Sequence, residues 1–177
     1  FDAADAALNR EYRALREAIG SGNRQVLQLA QREWIRYRDA EAAFDLVRRL
    51  GPLPTAEVAS RANEPGAVVG WLEGLARARR VIEVRVGGAA QWAVVEDAGR
   101  LRDALGVALP VGLPEAVLAP VADPLGDLLR RHARSHGPFT AYEVASRFGL
   151  GVAVVGAALR DLERRGNLDV PYREGGW

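Results

Sequence analysis

Cysteine and methionine are both absent from the 177-residue chain, and histidine occurs only twice. Without thiols the chain cannot form a disulfide or a thiolate metal site, and two imidazoles fall short of the ligand set of a zinc ion. His132 and His136 are four residues apart and share one helix face, but no third ligand is evident beside them. The sequence therefore predicts neither a metal nor another cofactor.

Long apolar runs are absent as well, and the longest span only a handful of residues, such as 152–155. A helix that crosses a bilayer needs about 20 apolar residues, so we expect no membrane segment. Hydrophobic residues make up 49% of the chain and charged residues 27%, which is typical of a folded globular protein. Because the chain starts at Phe1 without a leader-like segment, we expect a fragment or a processed chain.

Lysine is also missing, since all 24 basic residues are arginine, which indicates a GC-rich coding sequence more than a ligand. The net charge is +1, with 9 arginines against 8 acids in residues 1–50 and 15 against 15 in residues 51–177. A duplex-binding surface normally carries a basic excess. We therefore expect any face that binds nucleic acid to be local.

An internal repeat is the clearest feature that the chain does contain. Residues 51–70 align without gaps to residues 137–156, and 11 of the 20 positions are identical. The identities include a Gly-Pro pair and the blocks EVASR and AVVG, which begin at Glu57 and Ala67 in the first copy. A repeat of this kind indicates one structural unit that occurs twice.

Each copy has the pattern of three helices joined by tight turns, with apolar residues at helical spacing. Val58, Val68, Leu72 and Leu75 are predicted to face inward in the first copy. The inward positions of the second copy are Val144, Val155, Leu159 and Leu162. The predicted helices cover residues 44–50, 55–62 and 67–78 in the first copy, and 125–135, 141–148 and 152–165 in the second.

A hairpin wing is predicted after the first three helices, with strands at residues 81–86 and 91–95 around a Gly-Gly turn. Helix, turn, helix and wing together describe a winged helix, whose third helix commonly enters a DNA groove. A matching wing strand begins at residues 168–172, and we expect this second wing to be truncated.

The fold class predicted from these patterns is mainly α with small β wings (α+β). Residues 3–20 and 23–42 predict two amphipathic helices that form a hairpin, and four prolines make residues 107–124 a semi-rigid linker. The predicted domains are a helical hairpin (1–43), a first winged helix (44–106), the Pro-rich linker (107–124) and a second, incomplete winged helix (125–177).

Residues 44–177 contain the strings FDLVRRLGPLPTAEVASRA, EDAGRLRDALG and ADPLGDLLRR. These strings resemble the C-terminal region of the bacterial Lhr (large helicase-related) ATP-dependent DNA helicases. The resemblance implies tandem winged helices beyond an ATP-driven motor that is involved in DNA repair. No segment here reads G-x-x-x-x-G-K-[ST], so we expect no ATP hydrolysis. Some members are associated with base excision, but no catalytic motif for it can be matched here, and we predict no catalytic residue.

About the first 44 residues, with ADAALNREYRALREAI and LAQREWIRYRDAEAAF, resemble a different family, the LprI-like lysozyme inhibitors. Members typically have a cysteine just after R-D-A-E, where this chain has alanine. The resemblance implies a secreted binding module in which Trp34, Tyr37 and Arg38 form a partner-binding patch. We favour the alternative that these residues pack against Tyr12 and Leu15.

Arginines at the end of each third helix and on the wing are candidate phosphate ligands, because a guanidinium group can hold phosphate or read a guanine edge. A solvated surface is the alternative, and a wing tryptophan can either stack on a base or cover the core. The predicted nucleic-acid-binding residues are Arg77, Arg79, Arg80, Arg85, Trp92, Arg160, Arg164 and Arg165.

Two further charged pairs occupy equivalent positions in the repeat. Glu57 precedes Arg61 by four residues, and Glu143 precedes Arg147 by the same spacing, which favours an ion pair within each helix.

Together these patterns predict a cytoplasmic, non-catalytic segment of a Lhr-type helicase that binds nucleic acid or serves as a scaffold. Its expected partners are single-stranded or duplex DNA, bound weakly by the segment alone, and the rest of a helicase polypeptide. One alternative is a winged-helix module that docks protein without touching DNA. Another is a periplasmic or secreted lysozyme-inhibitor-like protein that acts through the N-terminal hairpin. An independent enzyme would need an acid, base or nucleophile in a cleft, which the sequence does not suggest.

Overall fold

The computed structural model of the chain describes residues 2–168 and 172–173, with the side chains of residues 6–20, 23–168 and 172. The chain divides into two compact units, Phe1–Asp39 and Ala40–Trp177. The helices are α1 (Asp2–Ala18), α2 (Ser21–Leu50), α3 (Thr55–Ala59), α4 (Val68–Arg77), α5 (Ala98–Leu105), α6 (Pro124–Ser135), α7 (Ala141–Phe148) and α8 (Val152–Arg164). The strands are β1 (Val81–Val86), β2 (Ala89–Val94), β3 (Phe139–Thr140) and β4 (Tyr172–Arg173). The predicted fold class, mainly α with small β wings, is confirmed.

Helix α2 is continuous through the point where two helices were predicted, at residues 23–42 and 44–50. The reason is local: residues 40–50 contain no glycine, proline or turn-forming pair, so nothing stops the helix before Gly51. At Gly51 the backbone turns left-handed, with φ of 91°, and Pro52 follows. This is a common way to end a helix.

The unit Phe1–Asp39 has very little internal burial. Among its described side chains, every one from residue 6 to residue 38 is exposed or half-buried. Leu15 is 50% exposed and Tyr37 66% exposed. The predicted packing of Trp34 and Tyr37 against Tyr12 and Leu15 is therefore wrong, because side chains with this exposure do not form a core.

A winged helix occupies the first part of the unit Ala40–Trp177. The backbone of Leu53 exchanges hydrogen bonds of 2.8 and 3.0 Å with Trp92 on β2, and β2 pairs with β1 in antiparallel register. Gly87 and Gly88 at the hairpin turn both have positive φ, of 58° and 83°, which a type I′ turn requires. Leu53, β2 and β1 lie side by side in that order. Helices α3 and α4 complete the winged helix.

Two hydrophobic cores lie on opposite faces of this hairpin. The first core contains Val58, Val68 and Leu72, together with Val94 from one face of the hairpin. The second core, built mainly by α5 to α8, also contains residues of the other face: Ile82, Val84, Val86 and Ala93. The predicted inward positions in both copies, including Leu75, Val144, Val155, Leu159 and Leu162, are buried.

The proline-containing segment between α5 and α6 packs against the second core. Val107 is buried, and Leu113 and Val117 are partly buried against that core. A Cβ atom on Gly99 of α5 would lie 2.8 Å from the backbone oxygen of Ala119, so only glycine allows this close approach. These contacts hold the segment against the fold.

We call α3, α4 and their connection the first helix-turn-helix segment, and α7 with α8 the second. Val68 is buried and Val69 is 51% exposed, whereas Val154 is 53% exposed and Val155 is buried. Ten positions separate the buried Val58 from Val68, but eleven separate Val144 from Val155. Because the two copies align without a gap, the two connections differ in conformation and not by an inserted residue, and the identical AVVG blocks are out of register in space.

The second helix-turn-helix segment ends near a short strand pair, in which β3 runs parallel to β4. Part of the strand predicted at residues 168–172 lies outside the described residues. Within the described chain, no single helix has the length and apolar character of a membrane span. Helices α7 and α8 meet that criterion only jointly, and they are bent by 118° at their connection.

Candidate nucleic-acid interface

The end of α4 contains the most unusual backbone position near the predicted site. Arg79 has a positive φ of 56°, the only such non-glycine residue in the described chain. Its N–H donates to the oxygen of Ala76, and the N–H of Arg80 donates to the oxygen of Leu75, both at 2.9 Å. This is a Schellman motif, which normally has glycine at the left-handed position. The Arg79 side chain is exposed and has no hydrogen bond or ion pair with another described residue.

Helix α8 ends in the same motif with glycine at that position. Gly166 has φ of 67°, its N–H donates to the oxygen of Glu163, and the N–H of Asn167 donates to the oxygen of Leu162. The two helix ends therefore have the same hydrogen-bond pattern. Only the first end places an arginine where the backbone favours glycine.

Two other predicted arginines are exposed near Arg79 in sequence. The Arg77 side chain is 75% exposed, with its Nη1 atom 4.0 Å from Glu73. On β1, Arg85 donates from its Nη1 atom to the backbone oxygen of Gly88 at 2.9 Å. The structure brings Arg77 and Arg79 to one helix end, whereas Arg85 lies towards the opposite end of β1, near the hairpin turn.

Arg80 and Trp92 have internal partners. The Arg80 guanidinium forms two hydrogen bonds with Glu41 and lies 4.1 Å from the centre of the Phe44 ring. The hydrogen bond with Arg80 lowers the pKa of Glu41. The Trp92 indole N–H donates to Thr55 at 2.9 Å, and its ring packs against the first core. These contacts give both residues a structural role in the fold.

Two of the predicted arginines at the end of α8 pair with one carboxylate. Arg164 lies 2.9 Å and Arg165 2.5 Å from Asp161, and both side chains are more than half exposed. Arg160 is exposed on the same helix. Because Asp161 offsets part of the positive charge, this cluster presents a weaker field than three isolated arginines would.

Apart from these arginines and the acidic residues Asp161, Glu73 and Glu163, the exposed faces of α4 and α8 are apolar or small. Val69 is exposed on α4, and Val152 and Val154 are exposed near the start of α8. Arginine, lysine, asparagine and glutamine are the usual readers of base edges in the major groove, and apolar side chains contact the thymine methyl group. The arginines of both helices lie in their C-terminal halves, and guanidinium groups there are suited to phosphate contacts.

The tip of the hairpin packs against the second helix-turn-helix segment. A Cβ atom on Gly149 would lie 2.6 Å from the Cα of Gly87, and a Cβ on Gly87 would lie 3.2 Å from the oxygen of Ser146. Glycine at both positions allows the two backbones to meet. The tip of the first wing is therefore an internal contact, which sequence patterns gave no reason to expect.

The two predicted ion pairs have different outcomes. Arg61 pairs with Glu57 at 3.2 Å as predicted, but Arg147 also pairs with Glu57, at 3.2 Å, across the two segments. The prediction that Arg147 pairs with Glu143 is wrong, because Glu143 accepts hydrogen bonds from the N–H and hydroxyl of Thr140 in a capping box. These hydrogen bonds lower the pKa of Glu143.

The two histidines form a packing contact on α6. The rings of His132 and His136 stack with centres 3.9 Å apart, and the His132 ring also meets Phe139 edge to face. Burial, with repulsion from His136 and Arg147, lowers the pKa of His132 to about 3. In the described residues, no three potential ligands come together around this pair or elsewhere.

The family described as the winged-helix domain of the large helicase-related protein matches residues 16–120. This range includes most of the segment that resembles LprI-like inhibitors. That second resemblance stays a prediction.

Two curated relatives are similar over a shared stretch. One is the "Lhr helicase/ probable uracil glycosylase" of Mycolicibacterium smegmatis, 49% identical over 133 residues. The other is the "Lhr helicase/uracil glycosylase" of Escherichia coli, 40% identical over 132 residues. Each match covers 74% of this chain and 9% of the relative, so the chain spans about a tenth of these proteins. The chain belongs to the winged-helix domain family of the large helicase-related proteins.

Proposed function

We propose that this chain is a non-catalytic, nucleic-acid-binding and scaffolding segment of a Lhr-type DNA helicase that acts in DNA repair in the cytoplasm. In this role it holds the phosphate backbone of single-stranded or duplex DNA beside the motor, without reading sequence. The observation that carries the proposal is Arg79, an exposed arginine held in a left-handed backbone conformation.

A non-glycine residue in this conformation costs about 1 kcal/mol. Nothing in the described structure offsets that cost, because the Arg79 side chain has no described partner. Residues retained in strained conformations often serve binding. A phosphate ligand provides the negatively charged partner that the Arg79 guanidinium lacks among the described residues. Arg77 at the same helix end provides a second contact to the phosphate backbone.

Replacement of Arg79 by glycine separates strain from binding. We expect R79G to raise the free energy of unfolding by about 1 kcal/mol, since glycine relieves the strain. The same variant is expected to weaken DNA binding several-fold. It should also lower the slope of log affinity against log salt by the amount expected for the loss of about one phosphate contact. Fluorescence anisotropy with labelled single-stranded and duplex DNA, titrated from low to physiological salt, measures both binding effects.

The controls distinguish charge from conformation. R79A should weaken binding as R79G does, without the same gain in stability, and R79K should retain most of the binding. Unchanged affinity in R79G would remove Arg79 from the interface. No binding by the unaltered chain even at low salt would sink the DNA-binding role.

A second candidate is a protein-docking module without DNA contact. It is favoured by the internal position of the wing tip at Gly87, and by exposed apolar side chains such as Val69, Val154 and Tyr142 on the two helix-turn-helix segments. Such surfaces fit packing against neighbouring domains of a larger polypeptide. The salt titration of DNA binding discriminates between the two functions.

A further inference from the structure

The arginines of the two compact units differ in their partners. In the described part of Ala40–Trp177, most arginines lie within 4.0 Å of a carboxylate, as Arg131 does with the buried Asp97. In the unit Phe1–Asp39, Arg36 and Arg38 have carboxylate partners, whereas the other five arginines form no ion pair with any described side chain. They are Arg10, Arg13, Arg16, Arg24 and Arg32.

Three of these five arginines line one cavity at the connection between α1 and α2. The cavity has a volume of about 420 Å³ and is lined by Arg13, Arg16, Glu17 and Arg24. Arg13 and Arg16 are three residues apart near the end of α1, so they share a helix face. With three arginines and one glutamate in its lining, the cavity has a formal charge of +2.

Arg24 is held in place by the connection itself. Its Nε atom donates to the backbone oxygen of Ile19 at 3.1 Å. A guanidinium bound through Nε keeps both terminal nitrogens available as donors, in the planar fork that matches phosphate oxygens. The hydrogen bond therefore pre-orients one of the three cations.

We propose that this cavity binds phosphate groups of a nucleic-acid strand. Three guanidinium groups and one carboxylate line it, and two adjacent phosphodiesters or one phosphate dianion would balance the resulting charge of +2. The inference rests on the proposed function, but it adds a contact on the N-terminal helices to the arginines of α4. The bound chemistry is phosphate, and the source to which we commit is the backbone of DNA.

The test compares two double variants with the same change in charge. R13Q/R16Q removes two cations of the cavity that make no described hydrogen bond, whereas R10Q/R32Q removes two exposed arginines of the same unit outside it. We expect R13Q/R16Q to weaken binding to labelled single-stranded DNA about 5- to 10-fold and to reduce the slope of log affinity against log salt by about 1.4, at about 0.7 per phosphate. We expect R10Q/R32Q to change the affinity less than two-fold. Circular dichroism checks that both variants stay folded.

Each outcome supports or overturns the proposal. If the two double variants weaken DNA binding equally, the loss of affinity follows from the change in net charge alone, and the proposal is overturned. Unchanged DNA affinity in R13Q/R16Q would also overturn it, and inorganic phosphate that protects the cavity arginines from chemical modification would then assign the cavity to a small anion. If R79G weakens binding and R13Q/R16Q does not, the proposed function stands while this site falls.

Discussion

The EVASR block occurs in both helix-turn-helix segments, yet its charged residues have different partners in the two. In the first segment Glu57 pairs with Arg61, which lies just beyond the end of α3, and with Arg147 of the other segment. In the second segment Glu143 caps its own helix through Thr140, which leaves Arg147 for Glu57. Identical residues therefore stabilise one helix in one place and join two segments in the other.

The two segments also differ in how they obtain a sheet. The first has the antiparallel hairpin of β1 and β2, while the described part of the second has only two-residue strands, β3 and β4. One face of the first hairpin completes the second core. The second segment thus depends on the first for much of its apolar cover, which makes the contact between them a determinant of stability.

The largest expected effect comes from breaking the contact at the hairpin tip. Gly149 and Gly166 have nearly the same φ, of 66° and 67°, but only Gly149 faces another backbone. We expect Gly149→Ala to lower the free energy of unfolding by about 3 kcal/mol, from left-handed strain and overlap with Gly87. Gly166→Ala should cost about 1 kcal/mol, from strain alone. Urea denaturation of both variants measures the difference, and equal losses would show that the tip contact contributes nothing.

A smaller effect on stability is expected from the helix that precedes each helix-turn-helix segment. Position 132 is histidine in α6, whereas the aligned position 46 in α2 is leucine. The pKa of His132 is about 3 in the folded chain, whereas its ordinary value is 6.5. Between pH 6.5 and pH 3, therefore, the His132 ring is protonated in the unfolded chain only. Stability should therefore fall by about 2 kcal/mol as the pH drops from 6.5 to 5.

The variant His132→Leu copies the first segment and should remove this dependence on pH. Glu143, whose pKa is lowered, contributes stability that is lost only at more acid pH, below the unfolded value of 4.5. Its effect is therefore separable from that of His132. A slope between pH 6.5 and 5 that persists in His132→Leu would assign the pH dependence to other groups.

The smallest expected effect concerns the two arginines of Glu57. Arg147 is 20% exposed and also approaches the oxygen of Pro52 at 3.5 Å, whereas Arg61 is 40% exposed. We expect Arg147→Gln to cost about 1 kcal/mol and Arg61→Gln no more than about 0.5 kcal/mol. Thermal unfolding at matched pH and salt compares them, and a larger loss in Arg61→Gln would contradict the assignment of Arg147 as the link between segments.

Local patterns in the sequence were sufficient for much of the fold. The helical spacing of Val68, Leu72 and Leu75 identified buried positions, and the alternation at β1 identified a strand with the observed bounds. Helix α7 also matches its predicted range, because Thr140 and Gly149 cap its two ends. The division into domains 1–43, 44–106, 107–124 and 125–177 stays a prediction.

Contacts between distant segments were beyond the reach of these patterns. Nothing near Arg80 in the sequence indicates that Glu41 is its partner. A glycine turn has the same sequence whether its tip is exposed or is packed against another backbone, as the tip at Gly87 is. The sequence likewise did not indicate the left-handed backbone of Arg79, since arginine rarely adopts that conformation. The predicted nucleic-acid-binding residues stay a prediction: Arg77, Arg79 and Arg85 are exposed, whereas Arg80 and Trp92 have partners within the fold.

The different conformations of the two helix-turn-helix connections have a consequence for how a duplicated unit diversifies. One residue of an α-helix corresponds to a rotation of about 100°. A change in the turn before the helix changes which valine of AVVG enters the core, as Val68 and Val155 show, without changing a residue of the block or the length of the chain before it. Substitutions confined to a turn can thus give a copied gene segment a new outward surface, while the buried surface keeps its apolar character.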